Sequence, residues 1–207
     1  MAASYEGQPY GDSVYAGGPQ AIPGRVMCAY YDLGGEGVAY HDTVAVNRGS
    51  GMLNPLNGSY LNGFRAGESV DISYTKFYDD IDNSLYNFVE PEKEMLYVGW
   101  TDPGEWVKYT VDVRKTGRYS VNILYTSNRG GAISISFDDA DRTGPINILT
   151  TYREDDPVDW RQWHHWNRME GIAAIDLEEG LHVCTLHTVE QGQMNYAYLE
   201  FVLLQSD

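Results

Sequence analysis

The chain has 207 residues, 43% of them hydrophobic, with 30 acidic against 14 basic side chains and a formal net charge of -16. That length suits one large domain, and a surface so acidic repels phosphate backbones and anionic lipid, which argues against nucleic-acid and membrane-surface partners. No run approaches the ~20 apolar residues of a membrane span.

Residues 1–24, rich in Gly, Pro, Ser and Ala without periodicity, read as a leader or linker that at most lies along the surface of a domain spanning residues 25–207. The stretch "GGEGVAYHD" (34–42) follows, in which three glycines surround Glu36 and lead to Tyr40, His41 and Asp42. Residues 43–66 and 76–94 break the regularity and read as long surface loops; "DDIDN" (79–83) reads as a solvated acidic face.

From residue 105 onward, six runs alternate apolar and polar residues: "EWVKYTVDV", "RYSVNILYT", "GAISISFDD", "GIAAIDL", "LHVCTLHTV" and "NYAYLEFVLL". Period two with β-branched and aromatic enrichment predicts strands, and polar turns such as "RKTG" (114–117) separate them. In the first run Val107, Tyr109, Val111 and Val113 share the core face, leaving Trp106, Lys108 and Thr110 on the other. No segment sustains a helical apolar stripe, so an all-β sandwich is expected.

The candidate chemistry is sparse. Adjacent His41 and Asp42 diverge in an extended chain and cannot make a base–orienter bond. His164 and His165 likewise point apart, and His182 with Cys184 lacks the further ligands a zinc site needs. Cys28 and Cys184 lie in apolar runs and read as buried thiols. The acidic residues show no spacing that marks a glycosidase pair. Aromatics are more telling, with 17 Tyr and 5 Trp against 5 Phe. "DPVDWRQWHHW" spaces Trp160, Trp163 and Trp166 by three; read as a strand, this puts Trp160 and Trp163 on opposite faces, one in the core and one in solvent. An exposed indole suits the apolar C–H face of a sugar.

At these residues the chain resembles the family 6 carbohydrate-binding modules. "GGEGVAYHDT", "ESVDI", "VGWTDPGEWVKYTVDV", "TGRYSVNILY", "DWRQW" and "MNYAYLEF" occur in that family's order across most of residues 22–204. The resemblance implies a jelly-roll β-sandwich of two antiparallel sheets. It implies a non-catalytic module appended to a secreted polysaccharide-degrading enzyme, with xylan, β-glucan and agar-type galactans among the family's ligands. Carried over by motif, Tyr40 and Trp160 would stack on the sugar, Asn195 and Glu36 would bind its hydroxyls, and Trp163 would be the structural companion of Trp160. A second cleft would use Trp106 and Lys108. The family's structural calcium uses acidic residues where this chain has Met27, Ala29 and Ala197, so no metal or other cofactor is expected. The expected partners are an oligo- or polysaccharide and a parent glycoside hydrolase, with the module a monomer, secreted or on a bacterial surface. A β-sandwich glycoside hydrolase or polysaccharide lyase, and a protein-interaction domain, are the alternatives.

Overall fold

The computed structural model describes residues 5–204, and the six periodic runs form its longest strands. In chain order the strands are β1 (Gln20–Ile22), β2 (Gly24–Met27), β3 (Tyr40–His41), β4 (Ile72–Tyr74), β5 (Leu96–Val98), β6 (Trp106–Val113) and β7 (Gly117–Ser127). They continue as β8 (Gly131–Phe137), β9 (Ala140–Asp141), β10 (Ile146–Ile148), β11 (Asn167–Leu177), β12 (Gly180–Glu190) and β13 (Met194–Leu203). Helix is limited to α1 (Tyr60–Gly63) and two 3-10 turns, Cys28–Tyr30 and Asp159–Trp163.

One sheet runs β1-β6-β12-β8-β10, with β3 also on β6 and β9 on β8; the other runs β11-β7-β13-β5-β4, with β2 also on β13. Pairing is antiparallel except where β1 lies parallel to β6. This is an all-β jelly-roll sandwich. Its core forms as the alternation requires: Val107, Tyr109, Val111 and Val113 of β6 face Tyr119, Val121, Ile123 and Tyr125 of β7 in one buried apolar cluster.

The opposite face of the second sheet has its own small cluster, in which Met95, Tyr97, Leu124, Trp166 and Tyr198 are buried with Val89 packed against them. Val89 belongs to the 76–94 segment, whose Phe88 and Val89 amides both donate to the Trp166 carbonyl, at 2.9 and 3.0 Å. That segment is therefore more than a solvated acidic face. Asp79 and Asp80 are exposed, but Asp82 is fully buried and is the anchor of the loop.

The leader expected over residues 1–24 is instead part of the domain wherever it is described; residues 1–4 lie outside the described residues. Tyr10 and Ile22 belong to the core, and Gln20–Ile22 pair with Val111–Val113. Tyr15 stacks on Tyr30 with ring centroids 3.9 Å apart, and Tyr10 on Tyr30 at 5.6 Å. Low periodicity hid this segment because rings rather than alternating aliphatics hold it.

Gln20 also bears on the calcium question. Its Oε1 accepts the Met27 amide at 2.7 Å, and its Nε2 donates to the carbonyls of Met27 and Tyr30 at 3.3 Å each. Ala29 and Ala197 are buried among apolar neighbours. A hard cation needs several oxygen ligands. Here a thioether and two methyls stand where carboxylates would be, and an amide caps the nearby carbonyls, so these residues do not fit the ion. Cys28 and Cys184 are buried free thiols, and burial pushes the Cys28 thiol up to about 12, outside the reactive range.

Candidate functional site

A groove of about 440 Å3 opens beside the second sheet. Its apolar walls are Trp100, just past β5, Leu53 of the 43–66 loop, and Trp160 and Trp163 of the 3-10 turn. His164, Gln193 and Asn195 supply polar atoms, and Tyr97 also lines it. Trp160 is 51% exposed.

The geometry of the turn explains why two tryptophans share this groove. With three residues per turn, a 3-10 helix brings i and i+3 to the same side. The strand reading put Trp160 and Trp163 on opposite faces; the turn puts both on the groove. The core tryptophan is Trp166, fully buried against Tyr97 at 5.3 Å in an edge-on contact.

Two buried carboxylates hold this aromatic segment. Asp156 accepts Arg161 Nε and Nη2, each at 2.7 Å, together with His165 Nε2 at 2.8 Å and the Val158 amide at 2.9 Å. The Arg161 guanidinium in particular holds the Asp156 carboxyl well below its usual range. Asp82 accepts His164 Nδ1 at 2.9 Å, Trp166 Nε1 at 2.7 Å and the Lys76 amide at 2.7 Å. These bonds fix the turn from both flanks, so Trp160 is an exposed ring on a rigid mount.

Trp100 has a left-handed backbone, φ +48°, a conformation that costs free energy in a non-glycine residue and often marks a functional position. Gly99 precedes it because a Cβ there would lie 2.7 Å from Asn195 Oδ1. Asn195 is nearly buried, and its Nδ2 donates to Thr126 Oγ1 at 2.9 Å and to the Trp163 carbonyl at 2.8 Å.

Of the expected site residues, the groove unites Trp160 and Asn195 but excludes Tyr40 and Glu36. Tyr40 pairs with Val107 in the other sheet and is 5% exposed, its ring set edge-on to Tyr31 at 5.4 Å. A ring packed in the core has no face to offer a sugar, so the expected Tyr40–Trp160 pair is corrected. Glu36 instead staples its own bend, accepting His41 Nδ1 at 2.5 Å and the Asp42 amide at 3.0 Å. Gly35 and Gly37, at φ +80° and +77°, make that bend.

Trp106 and Lys108 do lie together, with Lys108 Nζ 5.3 Å from the Trp106 ring centroid. Lys108 is also engaged by Asp139 at 3.0 Å and sits 5.3 Å from the Tyr5 ring. The N-terminal segment therefore reaches this face. Nearby, burial first and then the negative charge of neighbouring carboxylates, Glu105 acting on both, raise Asp42 to about 7 and Asp71 to about 6. Among the described residues no group of three or more His, Cys, Asp or Glu is placed to hold a metal ion.

Sequence reasoning missed Leu53, Tyr97, Trp100, His164 and Gln193 as groove residues. Trp100 was visible within "VGWTDPGEW"; the others carry no local signal, because loops distant in sequence bring them together.

A family model described as carbohydrate binding module (family 6) matches residues 80–204, a span that contains Trp160 and Asn195 but not Tyr40 or Glu36. No curated protein matches the chain. Among solved structures, a β-1,3-glucan-binding family 6 module from Bacillus halodurans aligns with TM-score 0.52 at 16% identity, covering 89% of this chain and 98% of its own. A family 43 arabinoxylan arabinofuranohydrolase from Bacillus subtilis, solved with cellotetraose, aligns with TM-score 0.54 at 14% identity, over 92% of this chain and 30% of that one. At such identities the likeness is one of fold.

Proposed function

This chain belongs to the family 6 carbohydrate-binding modules, non-catalytic domains that bind carbohydrate, and from that premise we propose that it retains a neutral polysaccharide, β-glucan or xylan, in the Trp160 groove. The single observation that carries the reading is a half-exposed indole held rigidly in a groove whose other walls are Trp100, Trp163 and Leu53. Such walls bury the apolar face of a pyranose without needing charge. Among the described residues no carboxylate, lysine or arginine lines the groove, in keeping with a neutral ligand on an otherwise acidic protein.

The module would act as a monomer, secreted or on a bacterial surface, and tether a parent glycoside hydrolase to its substrate. The β-1,3-glucan bound by the Bacillus halodurans module makes laminarin the first glycan to try. Trp106 and Lys108 would form a second, lesser cleft.

Native affinity gels containing laminarin, mixed-linkage β-glucan or xylan, each assayed for released product, test the reading. Retention on at least one gel, lost in Trp160→Ala and unaccompanied by product, is the expected result. Retention unchanged by Trp160→Ala would overturn the groove, and product release would favour a hydrolase or lyase.

A further inference from the structure

Aromatic walls bind a sugar face but do not distinguish one hydroxyl pattern from another; directional polar atoms do that. Asn195 has committed both amide hydrogens, to Thr126 Oγ1 and the Trp163 carbonyl, so only its Oδ1 can face a ligand. Gln193 Nε2 reaches Asp102 Oδ1 at 3.4 Å. His164 is differently placed. Its Nδ1 meets Asp82 Oδ1 at 2.9 Å, and the other partners of that buried carboxylate, Trp166 Nε1 and the Lys76 amide, are donors. The carboxylate accepts from all three, which places a proton on His164 Nδ1 and, in the neutral ring, the lone pair on Nε2. The ring also stands edge-on to Trp160, with centroids 5.9 Å apart and planes at 79°. His164 Nε2 makes no hydrogen bond among the described residues, and the residue lines the groove.

We propose that His164 is the specificity-determining residue of the groove: Asp82 fixes its ring so that Nε2 accepts the proton of a hydroxyl on the sugar unit lying against Trp160. This rests on the groove being the glycan site. The chemical consequence is selective. His164 Nε2 and Asn195 Oδ1 are both acceptors, so the ligand must donate. Free hydroxyls do; O-methylated positions and carboxylates, which have no proton to give, do not.

Calorimetric titration of laminarihexaose, cellohexaose and xylohexaose into the wild type, Trp160→Ala, His164→Phe and His164→Gln tests the assignment. The phenylalanine keeps a ring beside Trp160 and removes the Nε2 acceptor together with the Nδ1 donor to Asp82, so its melting temperature is read beside its affinity. For whichever oligosaccharide the wild type binds, it should weaken affinity roughly three- to tenfold, the worth of one net hydrogen bond. His164→Gln, which restores an acceptor, should recover part of the loss. Wild-type affinity in His164→Phe beside lost binding in Trp160→Ala would overturn the role of His164 and leave the groove standing. Undiminished binding in Trp160→Ala, or no binding by the wild type, would overturn both. In the wild type itself, which no folding defect can compromise, the His164 Nε2 nitrogen resonance should move on adding the bound oligosaccharide; an unmoved resonance overturns the proposal.

Discussion

Trp160 and Trp163 lie three residues apart on one 3-10 turn and line the same groove, while Trp166, three residues further on, is sealed beneath the 76–94 loop. Identical spacing gives opposite fates because the turn ends at Trp163 and β11 begins at Asn167. The change of backbone between them turns a ladder of indoles into a platform and an anchor.

The contrast between Tyr40 and Trp160 predicts separable phenotypes. Tyr40→Ala opens a cavity at a 5%-exposed core position and should cost about 3 kcal/mol or more of unfolding free energy, with the folded fraction still retained by glycan. Trp160→Ala should leave denaturation midpoints nearly unchanged and abolish retention. Urea denaturation followed beside affinity gels checks both, and the reverse pattern would restore Tyr40 as the platform.

Asp156→Asn should be among the most damaging single changes. It leaves Arg161 and His165 without their buried counter-charge, a loss worth about 3–5 kcal/mol, and frees the turn that carries Trp160. Because this carboxyl is held below its ordinary value in the folded state, its stabilisation is present above about pH 4, the unfolded value. It disappears as pH falls further, so acid unfolding of the wild type should be steep and that of the variant shallow.

Asp42 should act in the opposite sense. Its folded value of about 7 stands above the ordinary 3.8, so ionising it costs more in the folded chain than in the unfolded one. Its contribution is therefore greatest below about pH 4 and is lost as pH rises through about 7. Thermal melts at pH 6 and pH 8 should show the wild type losing stability at the higher pH. Asp42→Asn should lose less, and equal slopes in the two proteins would contradict the account.

Removing metal should do nothing. With Met27, Ala29 and Ala197 offering no side-chain oxygen, and Gln20 capping the neighbouring carbonyls, the melting temperature should be the same with and without EDTA. A drop of many degrees would mean that oxygen ligands elsewhere hold a structural cation.

The strands after residue 105 were legible because alternation is a local property: Val107, Tyr109, Val111 and Val113 must share a face in any extended chain. The family motifs likewise pointed to Trp160 and Asn195. What the sequence could not determine was every relationship made by loops. Tyr40 carries the same phenol whether it faces a sugar or Tyr31, and only the packing of β3 onto β6 decides that it is buried. Asp82 reads as one more surface acid until Trp166 and His164 are brought to it from more than 80 positions away. Leu53, Trp100 and His164 meet only through the tertiary fold. Periodicity records which way a side chain points along its own strand, whereas a groove depends on which distant loop arrives opposite, and that is set by the energy of the whole packed chain.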